Sequence, residues 1–282
     1  MTLLSRRRLA ASGRGVLSRP CLLGGRPGIA RIMEWEPMRP AAIVLCAAAL
    51  LLGGCTGQKA ARSSAPPTTT AARPVALDGC VQPGSAQLVD VGGGSQVAVL
   101  GTGPVGVVLS NQSDQNLCGW LPFARTLAAR GFRVLVYDYG ITADPAGDVA
   151  KAAATLRGLG VRTVMLAGAS QGAKASLIAA PAITPPVGGV VSLSAERTAR
   201  GQDLQPFAAK LRAAVLFVVA EGDPYGAADA TPQLYRAATK ASSRRLVVLP
   251  GDAHGTDLLT GSNGAQVRSL IIDFLSEHSH AP

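Results

Sequence analysis

The chain has 282 residues, 48% of them hydrophobic, 16% charged and only 4% aromatic, a content that suits one sizeable aliphatic core. The formal charge of +10 is concentrated at the start: residues 1–54 carry eight Arg and two Glu, and the rest carries 19 Lys and Arg against 15 Asp and Glu. The remaining net of +4, with no basic stripe or interleaved aromatics, argues against nucleic-acid binding.

In chain order, residues 1–37 read as a falsely extended start, with translation beginning at Met38 or Met33, or else as an extended n-region of the signal. Ser5-Arg6-Arg7-Arg8-Leu9 faintly resembles a twin-arginine motif, but no apolar stretch follows it. Residues 41–52 (AAIVLCAAALLL) are apolar and uncharged. A membrane-crossing helix needs about 20 such residues, so residues 38–54 read as a signal peptide. Its end, Leu52-Gly53-Gly54-Cys55, resembles the lipobox of bacterial lipoproteins. That resemblance implies diacylglycerol (and palmitate) on Cys55, cleavage before it, and attachment to the extracytoplasmic face of the bacterial cell membrane. The plainer alternative is a secretory signal with an incidental Cys. Residues 55–79, rich in Thr, Ala, Ser and Pro, read as a flexible tether, and residues 80–282 as one folded domain. Cys80 and Cys118 survive signal removal, lie outside any CxxC or zinc spacing, and are expected to pair as a disulfide.

Residues 87–91 and 95–101 read as an opening hairpin, and 104–110 as an apolar strand. A helix over 121–131, a strand over 132–140, a helix over 148–160 and a strand over 162–169 follow. The pattern continues as helix 171–183, strand 187–195, short helix 202–213, strand 213–222, helix 231–241, strand 244–251 and helix 264–278. Apolar strands separated by helices predict an α/β three-layer sandwich, with six parallel strands covered on both faces.

One strand runs directly into Gly168-Ala169-Ser170-Gln171-Gly172 and then a helix. A GxSxG pattern alone is cheap in a glycine-rich chain; strand, sharp turn and helix together are the setting of a nucleophile elbow. Only three histidines are present, and His278 and His280 fall in the tail, where fraying is expected. His254, in the loop after the last strand, is therefore the candidate general base. Asp223, in the loop after strand 213–222, is the candidate acid, with Glu221 as competitor and Asp252 as a weaker one.

The strand order, GASQG, AEGDPYG and DAHGTDLL together resemble the α/β-hydrolase superfamily, close to its compact dienelactone-hydrolase-like members, over residues 86–278. The resemblance implies a serine hydrolase acting on an ester, thioester or related acyl bond of a small substrate, without metal or organic cofactor, in a monomer. It also implies an oxyanion hole made by the backbone N–H of Gln171 and a second N–H from the loop after the third strand, at Gln112 or its neighbour Ser113. That loop, Ser110-Asn111-Gln112-Ser113-Asp114, lacks the His-Gly signature common there. The short stretch between strands 187–195 and 213–222 leaves no room for a cap, so a shallow, open pocket is expected. Two other readings stand beside it: a surface-anchored binding lipoprotein that keeps the fold without turnover, and an acyltransferase that uses the same triad.

Overall fold

The computed structural model describes residues 77–92 and 95–279. The readings for residues 1–37, the signal peptide, Cys55 and most of the tether fall outside that range. The described chain begins three residues before the expected domain boundary, where Leu77 forms an isolated antiparallel bridge with Val81.

The main sheet contains eight strands: β1 (Gln87–Gly92), β2 (Ser95–Leu100), β3 (Val105–Ser110), β4 (Arg133–Tyr137), β5 (Thr163–Ala169), β6 (Gly189–Leu193), β9 (Ala214–Ala220) and β10 (Arg244–Leu249). Their spatial order is β1-β2-β4-β3-β5-β6-β9-β10. The β1–β2 hairpin joins β4 antiparallel, and β4, β3, β5, β6, β9 and β10 run parallel. Parallel neighbours need crossover connections, which the helices provide.

The inner strands β3, β4, β5, β6 and β9 are apolar on both sides because both sides are covered, whereas the edge strands β1 and β10 are largely exposed. From β3, Val107 and Leu109 face one core layer with α1 (Leu121–Ala129) and α6 (Gly264–Glu277), whereas Val108 faces the other. That second layer holds α2 (Pro145–Gly158), α3 (Gln171–Ala179), α4 (Gln205–Ala208) and α5 (Ala227–Ala237). The alternation repeats in β9, where Val215 and Phe217 enter the second layer and Leu216 and Val218 the first.

Several boundaries differ from the sequence reading, and three have a local cause. Helix α2 starts three residues early, because Asp144 caps the N–H groups of Ala146 and Gly147 and Pro145 takes the first helical position. Helix α5 begins at Ala227 and contains Pro232 in its second turn, instead of starting beside it. Residues 202–203 are not helical. They form β8 (Gln202–Asp203), paired with β7 (Thr198–Ala199). The turn between them, Arg200-Gly201, has positive φ at both residues (49° and 80°), as a type I′ hairpin turn requires. Arg197 braces the hairpin through two bonds to the Asp203 carboxylate, at 2.8 and 2.9 Å.

The tail also differs from expectation. His278 is not frayed: its ring packs edge-to-face with Phe274, with centroids 4.7 Å apart. Its carbonyl lies beside Gly188, just before the start of β6 and far from the loop that carries His254.

Cys80 and Cys118 form a disulfide with Cα atoms 5.9 Å apart, closing a sequence separation of 38. In the chain-entropy picture a loop of that size contributes about 4 kcal/mol. Asp138, just past β4, sits at the same corner and accepts the Leu117 N–H at 2.7 Å. Its carboxyl is pushed up to about 7, by burial first and then by a hydrogen bond with Asp78.

Candidate active site

The carboxyl ends of the parallel strands bring the candidate residues to one edge of the sheet, where open α/β sheets bind ligands. Ser170 follows β5, Glu196 follows β6, Asp223 follows β9, His254 follows β10, and Asn111 and Gln112 follow β3.

Ser170 sits in a strained turn, with φ 48° and ψ −109°. Such a backbone persists only where its surroundings over-determine it. Here the two glycines of the motif do so by permitting close approach. A Cβ on Gly168 would overlap the backbone of Gly172, and one on Gly172 would overlap the backbone of Ser110. The turn is also held by the Ser170 N–H donating to Leu193 O (2.8 Å) and Lys174 N–H donating to Ser170 O (3.0 Å). Gln171 opens α3, so its N–H has no acceptor within the helix. The Gln112 N–H likewise donates to no described backbone group. The loop around Gln112 adopts its shape without positive φ from residue 111 to 114, so the missing glycine is not needed.

His254 and Asp223 are in direct contact: Nδ1 lies 2.8 Å from Asp223 Oδ2. The second carboxylate oxygen, Oδ1, accepts the Tyr225 N–H at 3.0 Å. Burial alone raises the Asp223 carboxyl, but the His254 hydrogen bond and the Tyr225 amide outweigh it and hold the group below its ordinary range. Asp223 and His254 are both buried. The Tyr225 ring, 62% exposed, lies over the imidazole with centroids 4.4 Å apart. Glu221 and Asp252 are exposed, and neither forms a side-chain hydrogen bond with a described residue.

Ser170 does not hydrogen-bond His254 among the described residues. Its Oγ makes a long contact of 3.5 Å with Glu196 Oε1, whose other oxygen pairs with Lys174 Nζ at 2.7 Å. Sequence reasoning passed over Glu196 and Lys174. The available signals were an acidic residue just beyond a strand end on the site's edge, and a lysine one helical turn after the nucleophile. Ser170 is only 5% exposed. A cleft of about 560 Å³ lies beside it, walled by the β7–β8 hairpin with Gln171 and Lys174, and Ser170, Asp223 and His254 do not line it.

Strand order, a strained Ser turn after β5 and an Asp–His pair after the last two strands match the α/β-hydrolase fold. In sequence the chain matches no family model and no curated protein. In structure it resembles Paleococcus ferrophilus monoacylglycerol lipase, with a TM-score of 0.56, 15% identity, and coverage of 68% of this chain and 99% of that one. Dienelactone hydrolase from Anabaena variabilis aligns with a TM-score of 0.55 and 20% identity, over 68% of this chain and 96% of that one. A predicted CIB-like hydrolase from Thermoplasma acidophilum gives 0.56 and 17%, over 68% and 97%. At these identities the likeness carries the fold, and function has to be argued from the site.

Proposed function

We propose that the protein is a serine hydrolase that cleaves an ester, thioester or related acyl bond of a small substrate through a covalent acyl-enzyme. Ser170 is the nucleophile, His254 the general base and Asp223 the acid that orients the imidazole. The observation that carries this reading is the 2.8 Å Asp223–His254 contact on the same sheet edge as a strained Ser170.

For attack, the Ser170 hydroxyl leaves Glu196 and gives its proton to His254 Nε2 as Oγ bonds the acyl carbon. Asp223 holds the Nδ1 proton and stabilises the imidazolium. The backbone N–H groups of Gln171 and Gln112 receive the oxyanion. Collapse expels the leaving group with the proton from His254, and water then repeats the sequence to release the acid. Apo geometry that is looser than the reacting geometry is common in such sites. The direct test is a fluorophosphonate probe: intact mass is expected to rise by one adduct, and peptide mapping to place it on Ser170. No adduct, or one on another residue, would overturn the assignment.

We also propose that the domain is held at the extracytoplasmic face of the membrane by lipid on Cys55. The lipobox-like sequence supports this, as does a disulfide, which favours an oxidising compartment. Metabolic labelling with a palmitate analogue is expected to mark the processed chain beginning at Cys55 and to be lost in Cys55→Ser. Label retained by that variant would remove the anchor.

A further inference from the structure

One buried side chain joins the loop after β3 to the loop carrying His254. Gln112 is 3% exposed. Its Oε1 accepts the Thr256 backbone N–H at 2.8 Å and lies 3.1 Å from the Thr256 hydroxyl, across 144 residues of sequence. A backbone N–H can only donate, so the amide must present its oxygen there, and the orientation of the group is fixed chemically. The Thr256 hydroxyl also lies 2.9 Å from Gln115 Oε1, which ties the far side of the same loop to it. Between His254 and Thr256, Gly255 has φ 58°, and a Cβ on it would overlap Gln112 Oε1. The side-chain carbonyl is thus seated directly against the residue that follows His254. Gln112 Nε2 donates to no described residue, so the amide's engagement with the fold is through its oxygen.

Resting on the assignment of Ser170 and His254 above, we propose that Gln112 is a positioning residue that aligns the two halves of the catalytic apparatus. Its backbone N–H belongs to the oxyanion hole, while its side-chain oxygen fixes the loop that carries the base. One residue therefore sets the distance between the site of proton transfer and the site of charge stabilisation. Thr256 is its partner: its backbone N–H is the firm donor to Gln112 Oε1, and the single proton of its hydroxyl is shared between Gln112 Oε1 and the closer Gln115 Oε1. A misplacement of about 1 Å in such apparatus costs on the order of 100-fold in rate, and alignment felt mainly in the transition state lowers kcat and kcat/KM together.

The test uses three variants with p-nitrophenyl acetate as substrate, below the melting temperature of each. Gln112→Met keeps the volume and removes the acceptor. It is expected to lower kcat and kcat/KM by about 10- to 100-fold while KM stays within about threefold. Gln112→Glu keeps an acceptor oxygen and is expected to recover most of kcat. Thr256→Val retains the backbone donor and loses the hydroxyl. It is expected to cost less than Gln112→Met, and the double variant less than the product of the two single losses. A folded Gln112→Met enzyme with parental kcat would overturn the proposal, as would independent, multiplicative losses or no recovery in Gln112→Glu. Should Gln112→Met fail to fold, the recovery in Gln112→Glu and the loss in Thr256→Val decide the matter. Ser170→Ala is the control: if it retains activity, the serine-hydrolase assignment fails. If it is inactive while Gln112→Met matches the parent, only the positioning role fails.

Discussion

Ser170→Ala is expected to fold like the parent and to lose activity toward activated esters by several powers of ten. The fold should tolerate the change because the turn is held by backbone contacts that alanine keeps. The Ser170 N–H to Leu193 O bond and the Lys174 N–H to Ser170 O bond do not involve the hydroxyl. The Cβ that must fit at φ 48° is already present in serine. The side chain gives up only the 3.5 Å contact with Glu196, a weak bond at that length. Activity should fall because no other group can form the acyl-enzyme. Loss of a triad nucleophile commonly costs on the order of 10⁶ in kcat. Thermal melting and p-nitrophenyl ester turnover measure the two halves of the expectation. Retention of more than about one per cent of kcat in a well-folded variant would remove Ser170 from the mechanism.

Asp223→Asn should cost about 10⁴ in kcat, whereas Glu221→Gln should stay within about twofold of the parent. The asymmetry follows from what each carboxylate touches. Asp223 uses one oxygen on His254 Nδ1 and the other on the Tyr225 N–H, so it fixes the ring's tautomer and orientation together. An asparagine that turns its NH₂ toward Nδ1 demands the opposite tautomer, which leaves Nε2 protonated and unable to take the serine proton. Glu221 is exposed, and only its backbone is tied down, through its N–H to Leu249 O at 2.9 Å. Steady-state kinetics on the two variants decide between them, and the reverse ranking would transfer the role to Glu221.

The framework was legible in the sequence because its signals are local. Runs such as residues 105–109 and Ala214–Ala220 carry no polar side chain, which only a strand covered on both faces tolerates. GASQG was informative through its setting, and His254 through the scarcity of histidine. What escaped was either stereochemical or long-range. The β7–β8 hairpin depends on Arg200 accepting φ 49°, a conformation that few non-glycine residues adopt and that no periodicity announces. The early start of α2 was encoded in Asp144-Pro145, a cap and first-turn pair that outweighs the apolar spacing beginning at Asp148. Glu196 and Lys174 meet beside Ser170 only because a loop after β6 folds back over the first turn of α3. The Gln112–Thr256 contact spans more than half the chain, and a single sequence holds no trace of it.

The Cys80–Cys118 bond also decides how the molecule carries load. A pull applied to the chain ahead of Leu77 reaches Cys80 within four residues and passes through the disulfide directly to Cys118. The stretch between them, with the β1–β2 hairpin and β3, lies on a covalent side loop and bears no tension. The edge strand β1, which would otherwise peel away first because only β2 holds it, is mechanically bypassed. The force enters the body of the fold at the short turn before α1, beside fully buried Trp120. A domain hung from its N-terminal segment would therefore keep its sheet in register under traction, and the strain would fall on the floor of the loop that holds Gln112 and Gln115.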